Sequence, residues 1–238
     1  MTTATQARIF SQRFIALHPD FSFQDRRVFR CPVRHIRLGF FLDRLSARDD
    51  FRTSWFSGLV FGPPSSGAGI GNIMEGASGS IDDPTFVTRF LTDLERVTSE
   101  IFPKVDTLQG LLDYPWVPFL GTGMSPITHS LLLTALGRFA EAERLLADWV
   151  LSERRHLDWN ARRIARYYRK GSKPWQRQQR SHEESSERLQ EFEALLDLLS
   201  ATSPGPVAAL LHKWESLGVR KRRIERYWEQ SPFPFELV

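Results

Sequence analysis

The stretch from Ser125 to Lys170, SPITHSLLLTALGRFAEAERLLADWVLSERRHLDWNARRIARYYRK, constrains the chain more than any other. Ser125-Pro126 reads as a helix start. A serine hydroxyl can accept a bond from a free backbone N–H, and proline in the first turn forfeits nothing, because its missing N–H would be unpaired there. Ile127, Leu131, Leu132, Ala135 and Leu136 recur at spacings of three and four, so they share one helical face. Gly137 falls where a left-handed cap is expected. A second apolar stripe follows at once, with Phe139, Ala142, Leu145, Leu146, Trp149 and Val150. So short a turn predicts two antiparallel helices with their stripes facing.

Within this stretch ALGRFAEAERLL, Ala135 to Leu146, resembles the hinge of a tetratricopeptide repeat: a small residue, Leu-Gly, an aromatic residue, then Glu-Ala. No second copy follows at a period of about 34 residues, so the resemblance implies one hairpin in a larger bundle rather than a solenoid. Beyond Trp149 the composition turns basic. Arg154, Arg155, Arg162, Arg163, Arg166, Arg169, Lys170, Lys173, Arg177 and Arg180 crowd together, with Tyr167, Tyr168 and Trp175 interleaved. Such a cluster can be a surface for an acidic protein, where Arg, Tyr and Trp are favoured anchors. It can hold phosphates and stack bases. Or it can be a solvated helix face, its aromatics turned inward and its charge partly neutralised by the acidic helix that follows.

Composition narrows the class. The chain has 238 residues, enough to bury a core, and 41% are hydrophobic, ordinary for a globular protein. The net charge of +4 is a mild bias, smaller than a surface built throughout for DNA would carry. Cys31 is the only cysteine, which rules out a disulfide framework and a cysteine-based zinc site. MTTATQARIF lacks the apolar core of a signal peptide, and no run approaches eighteen apolar residues. The expectation is a cytoplasmic protein with no membrane partner.

Taken in order, Thr5 to Leu17 predicts a helix with Ala7, Phe10, Phe14 and Leu17 on one face. Phe21 to Cys31 and Val33 to Leu42 alternate apolar and polar, predicting two strands whose wet face carries Arg26, Arg30, Arg34 and Arg37. Ser46 to Asp50 reads as a turn and Thr53 to Phe61 as a third strand. Ser65 to Ser80, SSGAGIGNIMEGASGS, reads as a surface loop. It has neither the lysine of a phosphate-cradling loop nor the spacing of a dinucleotide fingerprint. Asp82-Asp83-Pro84 starts a helix carrying Phe86, Phe90, Leu94, Val97 and Ile101, which Pro103 is expected to close. Lys104 to Gly123 is a connector. Ser181 to Leu199 predicts a long helix, acidic at first. Ser203-Pro204-Gly205-Pro206 interrupts the chain. Val207 to Leu217 reads as a helix capped by Gly218, and Arg220 to Glu229 as a last helix in which RRIERYW echoes RRIARYY. The apolar tail from Phe233 is expected to dock. The pattern is α+β, a small antiparallel sheet with helices over residues 1–123 and a helical bundle over 124–238.

No catalytic constellation emerges. The histidines His18, His35, His129, His156, His182 and His212 lack metal-binding helical spacing, and there is no Gly-x-Ser-x-Gly elbow. Asp49-Asp50 and Asp82-Asp83 sit at turns or helix starts, where acids are expected anyway. The reading names no catalytic residue, metal ligand or cofactor. PVRHIRLGFF (Pro32 to Phe41) and FRTSWFSGLVFGPP (Phe51 to Pro64), as strands of a small sheet, resemble uncharacterised small bacterial α+β proteins of immunity or accessory type. That resemblance implies a toxin-neutralising partner. The expectation is therefore a protein-binding module, its partner an acidic toxin or effector, met through Arg162, Arg163, Arg166, Tyr167, Arg169, Lys170 and Trp175. The alternatives are a nucleic-acid binder using Arg162 to Arg180 and Arg220 to Arg226, or an enzyme with a site near His35 between sheet and helices.

Overall fold

A computed structural model describes residues 3–44, 50–63, 69–80, 83–115, 124–201 and 203–237. The fold is α+β, with a five-stranded antiparallel sheet in the N-terminal half and a mostly helical C-terminal half. The chain divides into two compact units. One gathers Met1–Val60, Ala68–Gly123 and Arg222–Ser231, the other Phe61–Gly67, Met124–Lys221 and Pro232–Val238.

In the first unit, helix α1 (Thr3–Leu17) lays Ala7 and Phe14 into the core. Phe14 meets Phe21 and Phe40 edge-on at 5.1 and 5.7 Å. Leu17, expected on this face, is 71% exposed and is the last residue of the helix. The side chain of Phe10 lies outside the described residues. The expected strand over 21–31 is a tight hairpin instead, β1 (Phe21–Gln24) and β2 (Arg27–Arg30). Asp25 and Arg26, with φ of 50° and 63°, form its two-residue turn, and two left-handed residues match the twist of paired strands. β3 (Ile36–Arg44) and β4 (Asp50–Leu59) pair over nine residues, Ile36 with Leu59 through to Arg44 with Phe51.

The glycine-rich stretch is a strand, not a loop: β5 (Gly69–Ser80) pairs with β4 and closes the meander β1-β2-β3-β4-β5. Backbone hydrogen bonding sets this edge strand, and glycines weaken a ladder without preventing it. Residues 64–68 lie outside the described residues, as do Trp116, Val117 and Phe119 of the connector. Gly79 leaves room for α2 (Pro84–Arg96), since a Cβ there would lie 2.8 Å from the Phe86 ring. Asp83 caps α2 by accepting the Thr85 N–H at 2.9 Å. Phe86, Phe90, Leu94 and Val97 are buried at helical spacing. Pro103 does not close this helix. A π-helical turn, Val97–Ile101, widens the ladder so that the Phe102 N–H donates to Val97 O, and α3 (Phe102–Val105) continues with Pro103 in its first turn. α4 (Leu108–Asp113) follows.

The sheet has two unlike faces. Phe21, Val28, Phe40, Leu42, Phe51 and Trp55 fill the face under α1 and Phe102. The opposite face carries Arg27, Phe29, Arg37, Gly39, Phe41 and Phe56, and the segment Arg222–Ser231 lies against it. Val33 bridges Trp228, and Tyr227 meets Phe29 edge-on at 5.2 Å. Gln24 Nε2 donates to the carbonyls of Arg222 and Arg223 at 3.2 and 3.0 Å. Arg37 is therefore not on a wet face: it is only 9% exposed.

The second unit holds α5 (Pro126–Ala135), α6 (Phe139–Tyr167), α7 (Lys173–Ser200) and α8 (Pro204–Arg222). α5 begins at Ser125, whose hydroxyl accepts the Thr128 N–H, and ends at Gly137 with φ +79°. The tail docks here. Phe233 is buried against Phe61, Phe235 meets Phe139, and a Cβ on Gly137 would lie 2.8 Å from that of Phe235. α7 starts eight residues before the expected Ser181, because Ser172 accepts the Trp175 N–H and Pro174 lies in the first turn. α8 runs straight through Gly218, which is buried within it. It stops at Arg222, and Arg223 turns left-handed at φ 54°. The expected last helix is thus a short 3-10 turn, Glu225–Tyr227, and the echo of RRIARYY in RRIERYW is one of sequence only.

Candidate interaction site on the helical hairpin

α6 and α7 pack as a hairpin, α6 alone spanning about 43 Å at 1.5 Å per residue. Its seam changes character along its length. Near the base, Ala142, Leu146 and Val150 of α6 face the apolar side of α7, with Leu189, Phe192, Leu195 and Leu199 buried, and Trp149 meets Phe192 edge-on at 5.1 Å. In the middle, charges cross between helices. Arg154 pairs with Glu193 at 2.6 Å and Arg188 with Glu153 at 3.2 Å. Towards the turn Leu157 and Ile164 alone remain buried on α6, and Arg163 Nη2 donates to Gln178 Oε1 at 3.2 Å.

The turn end is the basic one. Arg162, Arg166, Arg169, Lys170, Lys173, Arg177 and Arg180 are exposed, and Arg163 is half-buried. Among the described residues, none of these eight has a carboxylate within ion-pair distance. The acidic residues of α7 do not neutralise them: Glu193 is spent on Arg154 farther back, and Glu183 accepts from Gln179. Two aromatic rings stand out among the cations. Tyr167 is 69% exposed with the Arg166 guanidinium 5.4 Å from its ring centre. Trp159 is 52% exposed with Arg163 over its face at 5.1 Å. Trp175 is half-buried at the start of α7, and Gly171, at φ +81°, makes the turn.

The structure therefore brings Arg162, Arg163, Arg166, Tyr167, Arg169, Lys170 and Trp175 to one end of one hairpin, on the last turns of α6 and the first of α7. Sequence reading missed Trp159. Its signal was the spacing of four to Arg163, which places a cation over the indole on a helix. Arg220 to Arg226 do not form a second basic helix, since α8 ends at Arg222.

Other polar clusters serve packing. His212 lies between Glu215 and Glu236, at 3.4 and 3.0 Å, and ties the tail to α8. His35 is buried with Nε2 3.1 Å from Ser231 Oγ. Burial raises the Cys31 thiol above its ordinary range, which suppresses the thiolate. Among the described residues no group of three or more His, Cys, Asp or Glu could hold a metal ion, and no helix is long and apolar enough to cross a membrane. The chain matches no protein-family model, no curated protein and no solved structure.

Proposed function

We propose that the chain works by binding another protein, an acidic one, through the turn end of the α6–α7 hairpin. One observation carries the reading: eight cations that no described carboxylate neutralises share the turn end of the hairpin with two exposed aromatic rings, each with an arginine against it. Arginine and aromatic side chains together are the usual anchors of an interface, and unopposed charge speeds encounter with a partner of opposite sign. A helical hairpin also orders its backbone before binding, which lowers the entropy cost of association. The finer reading is a bacterial, cytoplasmic factor of immunity type whose partner is an acidic toxin or effector.

The test is a pull-down from bacterial lysate, with and without nuclease, using wild type and an Arg162→Glu/Arg166→Glu/Arg169→Glu variant. The expected outcome is a single acidic protein kept after nuclease and lost in the variant. Its binding should weaken about tenfold or more as salt rises from 50 to 500 mM, because exposed charge pairs are screened. Both proteins should melt at the same temperature. Retention that nuclease abolishes would replace this reading with nucleic-acid binding, which the Arg163–Trp159 and Arg166–Tyr167 pairs could serve by stacking on bases. Equal capture by wild type and variant would reject both.

A further inference from the structure

Helix α7 carries a charge pattern on its outer face that its own unit does not use. Lys173, Arg177, Arg180, Glu184, Glu187 and Glu191 recur at alternating spacings of four and three, so they form one stripe along the helix. The stripe is split by sign: its first three residues are cations and its last three are carboxylates. All are exposed except Glu191, which is half-buried. Among the described residues, Lys173, Arg177, Arg180, Glu184 and Glu187 make no ion pair.

The pattern does nothing for the helix that bears it. Lys173 with Arg177, and Glu187 with Glu191, are like charges four residues apart, and such pairs weaken a helix. Lys173 also stands in the first turn, where the helix dipole favours an anion. Arg180 and Glu184 are opposite charges at the same spacing, but in the order that favours pairing less, and they do not pair.

The stripe is its own complement. Turned end for end at the level of His182, a second α7 sets Arg180 against Glu184, Arg177 against Glu187 and Lys173 against Glu191, each pair occurring in both directions. The surface is concave along the stripe. A groove of about 900 Å³ runs between α7 and α8 beside Glu184, Glu187 and Glu191, with Leu210 and the 37% exposed Leu217 in it. A shallower depression of about 380 Å³ follows Lys173, Arg177 and Arg180 and meets the groove at Glu184. Lys213 and Lys221 line the α8 wall of the groove, so an incoming cation is held on its α7 side.

We propose that this face of α7 binds a second copy of the chain, the two α7 helices lying antiparallel across a two-fold axis between Arg180 and Glu184. A two-fold contact closes on itself, so association stops at two copies. Exposed charge pairs with few apolar side chains beneath them make the contact weak and sensitive to salt. It engages three of the eight unneutralised cations at the turn end. The other five, on α6 and the turn, stay available, so this inference goes beyond the partner-binding reading and does not rest on it.

The test is sedimentation equilibrium over a series of protein concentrations, in about 50 mM and about 500 mM sodium chloride. Wild type should rise from one copy to two with concentration at low salt, and associate about tenfold or more weakly at high salt. Arg177→Glu/Arg180→Glu turns the stripe acidic, and Glu184→Arg/Glu187→Arg turns it basic. Each alone should associate about tenfold or more weakly than wild type at low salt, because like charges then face each other. An equimolar mixture of the two should dimerise as wild type does, since every reversed position meets its opposite. Arg180→Glu and Glu184→Arg, alone and mixed, carry the same test should a double variant fail to fold. The Arg162→Glu/Arg166→Glu/Arg169→Glu variant, which lies off the stripe, should dimerise as wild type does. A wild type of one copy at every concentration, growth beyond two copies, a reversed variant that still dimerises alone, a mixture that does not, or a dimer lost in the hairpin variant overturns the proposal.

Discussion

A single arginine carries different consequences at different positions in this chain. Arg26 sits in the β1–β2 turn at φ 63°, a left-handed conformation that costs a side-chain-bearing residue about 1–2 kcal/mol. Its side chain is exposed. Arg26→Gly completes the Asp-Gly pair that such turns favour, and should stabilise the protein by about 1 kcal/mol, raising Tm by about 2–4 °C in calorimetry. Arg37, by contrast, is buried by the neighbours that the sheet register brings to it. Alternation along β3 correctly put Arg37 on the face opposite Leu38 and Phe40. It did not reveal that this face is covered too, because the cover, which includes Tyr227 against Phe29, comes from far along the chain.

At the scale of elements, the helices with continuous apolar stripes were readable and the irregular segments were not. The α5–α6 hairpin follows from its stripes, its Ser-Pro start and its glycine turn, all local signals. The same stripes make Phe192 central: it is fully buried on α7, edge-on to Trp149 of α6 and 6.1 Å from Trp214 of α8. Phe192→Ala should cost about 3–5 kcal/mol, read from the urea midpoint, because three helices cannot all close onto the space left. β5 was illegible for the opposite reason. Its glycines offer no side-chain pattern, and its strand geometry comes from the ladder with β4. Pro103 misled in the same way, since only the π-helical turn before it lets the helix continue.

Over the whole molecule, the two units exchange short segments of chain. Arg222–Ser231 belongs with the sheet, although it follows the helical bundle in sequence. A fragment of residues 1–123 would lack the Val33–Trp228 bridge and the ring that covers Phe29. Such a fragment should bind a hydrophobic dye and melt broadly, and a peptide of residues 222–231 should restore a cooperative transition, both followed by fluorescence. The basic residues of the candidate surface were legible as a cluster, because charge density is a property of sequence. That they escape neutralisation was not, since of the glutamates that follow, Glu193 reaches back to Arg154 and Glu183 accepts from Gln179. The sequence by itself determined the α+β class, the hairpin and its basic end, because periodicity and capping act within a few residues. Only the tertiary structure decided which arginines are buried, which glycines form a strand and where the last segment lies, because those outcomes depend on partners brought together from distant parts of the chain.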